Sequence, residues 1–439
     1  MTSFRDHLNA LFPAEQPAKW HYGILYLFLA LWMQGEAYLN ILWPLLLLIS
    51  LPYISYAFEH IKPYRWLWIS IACYLGLRLI SLTYALNTKH AVYGITDDLR
   101  IFTIGLLLLT YMRTREQLRN AAIVTLAGFG VLAWHAFLLH WFTTYSFAGQ
   151  PEIEFGSLAH VNYAAAFTSV VIFSLLVASR HVSKRWLLAI VLIALPLCIM
   201  QAPLGSRTTL LLLALTVTVY IILKRPGWIA TILTLSSIVL VLGILSQTQS
   251  GLSQFSVVDK PLEKATVYVR TDIWKTLFYT WQEAPLGVGP KNSEFIDLNR
   301  HREWIHQNIP LSAKRFYGKE AMENGLQGID LNKTSHFVTD PHSHYVSLFA
   351  ENGPLGLLAY LSYLLAAFLI AIRHSFVTNN WTSGFAEAAA GGLFLMGGAG
   401  IMAAVFYQSG GIITIILVVF LLASIDIHGT EQDREPEET

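Results

Sequence analysis

The chain has 439 residues, of which 54% are hydrophobic and only 13% charged, with a mean hydropathy of +0.49. These values exclude an ordinary soluble domain of this length and point to an integral membrane protein. A formal net charge of +1 offers no field for a nucleic-acid partner, and two cysteines, Cys73 and Cys198, supply neither a disulfide framework nor a thiolate metal site.

A helix crosses a bilayer with about 20 apolar residues. Runs of that kind recur at 20–34, 37–57, 65–86, 97–112, 120–143, 161–179, 186–203, 207–223, 227–246, 344–372, 385–408 and 410–425. The expected fold is therefore all-α and polytopic, with about twelve transmembrane helices; the tight turns at 34–37 and 409 leave about eleven as the other count. Both cysteines lie within these runs and read as small buried hydrophobes. Many aromatics, such as Trp20, Tyr22, Trp66, Trp186 and Trp228, sit at run ends, where interfacial belts form. Met1 to Lys19 is polar and leads into further spans, so no cleaved signal peptide is expected.

Orientation follows from the basic residues of the short connections. The gaps "QGEA" and "TYSFAGQPEIEFGSLAH" have none, and "NTKHAVYGITDD" has Lys89 alone. The alternate gaps carry Lys62 and Arg65, then Arg113, Arg115 and Arg119, then Arg180, Lys184 and Arg185, then Lys224 and Arg225, then Arg373. The basic gaps read as cytoplasmic, both termini as cytoplasmic, and the long connection at 247–343 as lying outside the cytoplasm. The expected organisation is spans 1–9 over 1–246, an outer domain over 247–343, spans 10–12 over 344–425, and a cytoplasmic tail over 426–439 that ends in the acidic, disordered "EQDREPEET".

The long connection holds eleven basic and eleven acidic residues, a balance that fits a folded, mostly helical cap. In "VYVRTDIWKTLFYTWQEA", Val267, Arg270, Trp274, Phe278 and Trp281 recur near one helical stripe. "APLGVGP" is a turn that stops this helix, and "NSEFIDLNRHREWIHQN" reads as a second one ending near Pro310.

Candidate chemistry gathers at the outer ends of the runs. In "PLGSRTTL", Arg207 stands at a helix start after a break at Pro203 and Gly205, where free N–H groups attract anions; an interfacial anchor is the plainer reading. Arg270 presents a fork suited to phosphate, or a surface pair with Asp272 or Glu263. His342 follows Pro341 at the mouth of the tenth run as a proton acceptor or a helix cap. His344, Leu348 and Glu351 follow on one helical face. Arg78 lies inside a span and is either functional or tied to a structural partner. Lys89, Arg100, His160 and Asn162 lie at the outer ends of neighbouring runs, with Asp97 and Asp98 placed to neutralise Lys89 or Arg100. Cations at Lys89, Arg100, Arg207 and Arg270 beside His342 suit a lipid-anchored diphosphate, provided the bundle gathers them around one cavity.

Three stretches carry a resemblance: "GSRTTLLLLAL", "VRTDIWKTLFYTWQEAPLGVGPKNSEF" and "PHSHYVSLFAENGPLGLLAYL". In order and spacing across Gly205 to Leu361 the chain resembles the superfamily of bacterial O-antigen ligases, O-antigen polymerases and protein O-oligosaccharyltransferases. It departs from the family pattern at Ser343, where an Asn usually follows the motif histidine; His342 is taken as equivalent from the Pro before it and the Tyr after. The resemblance implies inverting glycosyl transfer from undecaprenyl diphosphate without cofactor or metal, in keeping with the absence of an Asp-x-Asp pair from the long connection. It further implies that Arg207 and Arg270 bind the diphosphate and that His342 takes the acceptor's proton. One dominant outer connection favours the ligase, which joins O-antigen to lipid A-core at the periplasmic face of the inner membrane; polymerase and protein-modifying enzyme are the alternatives within the family. A lipid-linked glycan transporter is the reading from another class, and predicts broken helices in both halves of the chain.

Overall fold

The computed structural model describes residues 17–144, 161–204, 207–224, 274, 277–293, 296, 343–377, 381–402 and 409–433. Among these residues every regular element is helical. Hydrocarbon offers no partner to a free N–H or C=O, so a spanning segment of this kind must satisfy its backbone internally. The longer helices in chain order are α1 (Lys19–Leu31), α2 (Glu36–Ser50), α3 (Ile54–Ile61), α4 (Arg65–Ile80), α5 (Thr88–Tyr111) and α6 (Arg115–Thr144). They continue with α7 (Val161–His181), α8 (Lys184–Leu204), α9 (Arg207–Lys224), α10 (His344–Val377), α11 (Trp381–Met402) and α12 (Ser409–Asp433).

Eight stretches among the described residues are long and apolar enough to cross a membrane, and the chain is a multi-pass membrane protein. α1 is too short to count among them, with 13 residues, and α5 too charged, with Lys89, Asp97, Asp98 and Arg100 between its start and its middle. The run expected at 227–246 lies outside the described residues. α12 continues to Asp433, past the span end expected at 425.

Two expectations need correction. "NTKHAVYGITDD" is not a connection: α5 begins at Thr88, where Asn87 caps it by accepting a hydrogen bond from the His90 N–H at 3.3 Å. Hydropathy misses this half-helix because of its charges, of which Asp97 and Asp98 are met by Lys291 and Arg78 from other elements. Nor is Cys73 buried; it is exposed on α4, while Cys198 is buried. On the rim of a membrane bundle an apolar side chain faces acyl chains, so apolarity does not forecast burial there.

α12 runs through the middle of the bundle, with Ile412, Ile415, Val418, Val419 and Leu422 all buried, and packs on α5, α6 and α11. α11 is the second hub, touching α7, α9, α10 and α12. In lipid, helices associate through close packing, which small residues permit. α11 accordingly carries Gly391 flush against the Phe173 ring of α7, where a Cβ would collide with it. The same packing brings the start of α10 against the end of α11: the Tyr345 hydroxyl donates to the Gly397 carbonyl at 2.7 Å.

Candidate functional site

α10 is interrupted. Gly353 leaves the helical region with φ 64° and ψ −174°, and Pro354 follows it. Proline has no N–H, so the carbonyl of Ala350, four residues back, loses its intrahelical partner. The turn at 284–293 supplies replacements: the Val288 N–H donates to the Ala350 carbonyl at 3.0 Å, and the Gly289 N–H to the Glu351 carbonyl at 2.8 Å. Such an approach requires glycine. Gly287, at φ +91°, has no space for a Cβ against the Glu351 carbonyl, and Gly353 has none against the carbonyl of Pro285.

The other side of this strap is tied to the α4–α5 connection. The Tyr84 hydroxyl donates to the Leu286 carbonyl at 2.8 Å, and the Leu86 N–H to the Val288 carbonyl at 3.1 Å. Asn292, fully buried, accepts from the Asn87 N–H at 2.9 Å and donates to its carbonyl at 3.3 Å. Lys291 adopts φ 53° between these contacts and reaches Asp97 at 2.5 Å. A non-glycine residue in that region is costly and persists only where its surroundings fix it.

Beneath the strap lies a buried ionic network. Arg78 of α4 is 2% exposed; its Nε donates to Asp98 Oδ2 at 2.6 Å and its Nη1 to Glu351 Oε2 at 2.9 Å. The Ser293 hydroxyl donates to the other Glu351 oxygen at 3.0 Å, and the Tyr74 hydroxyl to Asp98 at 3.4 Å. Stripping water from three charges is expensive, and the attraction offsets that cost only when the remaining hydrogen-bonding capacity is filled. Here one guanidinium bridges two helices and the strap is fastened to one of its carboxylates. Because both carboxylates are engaged in this way, the network acts to position the head of α10.

Among the predicted residues, the structure brings Arg78 and Glu351 into direct contact and places His344 on the same α10 face, 3% exposed. The His344 ring lies 5.1 Å from that of Tyr360, which in turn lies 5.2 Å from that of Tyr74. Lys89 is exposed in the first turn of α5. Arg100 is half-buried over the Trp43 ring of α2 at 5.5 Å. Asp97 and Asp98 pair with Lys291 and Arg78, a correction to the expectation that they neutralise Lys89 or Arg100. Trp274 is half-buried in a helical position. Arg207 opens α9 and Asn162 stands in the first turn of α7. Arg270 and His342 lie outside the described residues, as does most of the second helix expected in the long connection.

Sequence reasoning missed the roles of Ser293, Asn292 and Tyr84. It also passed over Asn352, 4% exposed, whose side-chain amide has no hydrogen-bond partner among the described residues. The available signal was the pair of chain breakers, "PLGVGP" and "ENGPLG", each of which leaves backbone groups that must be satisfied elsewhere.

Residues 197–361 match a family model described as O-antigen ligase. The matched segment, less than half of the chain, includes Arg207, the strap, Glu351 and the break in α10. No curated protein matches the chain.

Proposed function

The match over residues 197–361 supports an O-antigen ligase-family protein, and from that premise we propose that this chain is a glycosyltransferase acting on lipid-linked glycans, and specifically an O-antigen ligase. In this reading about twelve helices span the inner membrane, and the long connection caps the bundle on the periplasmic side. The donor is O-antigen on undecaprenyl diphosphate and the acceptor is lipid A-core. Arg207 and Arg270 neutralise the diphosphate, with the start of α9 adding its N-terminal partial charge. His342 removes the proton from the acceptor hydroxyl as that oxygen bonds to the anomeric carbon. The bond from that carbon to the diphosphate breaks, the diphosphate departs with the electron pair, and the sugar is inverted. No metal takes part.

The observation that carries the reading is the strap. It fastens the long connection, on which Arg270 lies, to the head of α10, which His342 precedes by two residues. The connection and the helix are thereby held at one end of the bundle, as a shared reaction chamber requires.

The test is transfer by purified, reconstituted protein given a lipid-linked glycan and lipid A-core. Covalent product is expected from the parent, with His342→Ala expressed normally and inactive. Movement of the donor without a new glycosidic bond would mean a transporter. In cells, loss of the protein should leave long lipid-linked chains beside bare core; shortened chains on an otherwise capped core would mean a polymerase. Normal transfer by the His342 variant would remove the proposed base.

A further inference from the structure

At the end of the bundle opposite the strap, α6, α8 and α11 begin and α7 ends, and between these helices and α12 opens a cavity of about 920 Å³. Its rim carries Arg115 and Arg119 of α6 and Arg185 of α8, all exposed. No acidic side chain is found among the lining residues described. Inward from the rim the wall is mainly aliphatic and aromatic, with the hydroxyls of Thr125 and Ser174 among it, as far as Phe129 on α6 and Ile413 on α12.

Among the described residues the rim cations are not held by carboxylates. Elsewhere at the same end Arg180 and Lys224 both reach Glu387, at 3.1 and 3.2 Å. Arg115, Arg119 and Arg185 are in no ion pair among the described residues; Arg115 lies over the Trp381 ring at 4.9 Å instead. Three guanidinium groups over a mainly apolar shaft, with no acidic side chain among its described lining, present charge outward and apolar surface inward. The first turns of α6, α8 and α11 meet at the same rim and add partial positive charge.

We propose that this cavity is a binding site for one anionic glycerophospholipid of the cytoplasmic leaflet, with its phosphodiester at the arginine rim and its acyl chains in the shaft. Depth and orientation both favour that occupant. From Arg115 to Phe129 a helix rises about 21 Å, which matches one leaflet with its headgroup layer, roughly 20–22 Å. A polyprenyl chain is far longer than such a shaft. The basic connections place this end in the cytoplasm, where anionic headgroups meet basic pockets between helices. The site is separate from the proposed transfer chemistry.

Native mass spectrometry of the delipidated full-length protein tests this, with phosphatidylglycerol and phosphatidylcholine of identical acyl chains as probes. Phosphatidylglycerol should bind in preference. In Arg119→Gln/Arg185→Gln its affinity should fall on the order of 30-fold, at about 1 kcal/mol per basic residue, with phosphatidylcholine unchanged. Arg119→Lys/Arg185→Lys should retain the preference, as should Arg65→Gln, which neutralises an exposed arginine of the same end that does not line the cavity. All three arginines are exposed, so melting without added lipid should match the parent and exclude misfolding as the cause. Equal binding of the two lipids, an unaltered preference in the double glutamine variant, or displacement of phosphatidylglycerol by equimolar undecaprenyl phosphate would overturn the proposal. None of these readouts involves glycan transfer, so its failure and that of the proposed function are distinguishable.

Discussion

Arg78 shows how a single residue decides whether a polar cluster in a membrane protein holds together. It is the one cation in contact with both Asp98 and Glu351 among the described residues, and it is 2% exposed against 16% and 0% for the two carboxylates. Arg78→Ala leaves two carboxylates in a site without counter-charge and should cost about 3–5 kcal/mol, read as a large fall in melting temperature of the detergent-solubilised protein. Glu351→Gln keeps a hydrogen-bonding shape and should cost less, about 1–3 kcal/mol. Lys291→Ala removes a partner of Asp97 where both side chains retain some exposure, 23% and 16%, and should cost at most about 1 kcal/mol. An Arg78→Ala protein as stable as its parent would show that the pairs contribute nothing. Half of this network was legible in the sequence: an arginine inside a span demands a partner, and His344, Leu348 and Glu351 share a face by helical spacing. The partner itself was not legible, because Glu351 stands 273 positions from Arg78, and periodicity carries no information about contacts at that separation.

At the scale of the element, α10 and the strap are each incomplete. Pro354 frees a carbonyl, Gly353 turns the chain, and "PLGVGP" brings N–H groups that a helix or a sheet would otherwise use. Each was readable alone, as a helix breaker and as a turn; that they answer one another was not, since a turn motif does not say which carbonyl it will meet. α5 failed in the opposite way, its first half hidden by charges, two of which, Asp97 and Asp98, only the folded bundle neutralises. Gly353→Ala tests the coupling. A Cβ at φ 64° is strained and would meet the Pro285 carbonyl, so a loss of about 1–3 kcal/mol is expected. The discriminating measurement is hydrogen exchange: the Val288 and Gly289 amides, which donate into α10, should exchange faster than in the parent while amides buried in α12 keep their protection. Loss confined to the melting temperature, with strap amides as slow as before, would mean that α10 tolerates the change without releasing the strap.

For the whole molecule, the two ends of the bundle have different chemistry, and both proposals depend on which end faces which compartment. The end with the strap joins the chain's one long polar connection to α10 and holds Arg78, Asp98, Glu351, Lys291 and Asp97 in ion pairs. The opposite end carries the arginines of the cavity rim, which are in no ion pair among the described residues. Basic residues are retained on the cytoplasmic side, so the strap should face outward and the rim inward. This polarity can be measured on the full chain with Cys73 and Cys198 replaced by Ala and single cysteines introduced at exposed positions. Glu36→Cys, at the start of α2, and Lys89→Cys, in the first turn of α5, should react with a membrane-impermeant maleimide added to cells whose outer membrane alone has been permeabilised. Thr114→Cys, just before α6, and Ser183→Cys, just before α8, should react only once the inner membrane is opened too. The reverse pattern would put the strap end in the cytoplasm and the arginine rim outside. Periplasmic sugar transfer and cytoplasmic-leaflet lipid binding would then fail together, whereas the helix packing, the interrupted α10 and the Arg78 network would stand unchanged, because they depend on contacts within the bundle and not on its direction.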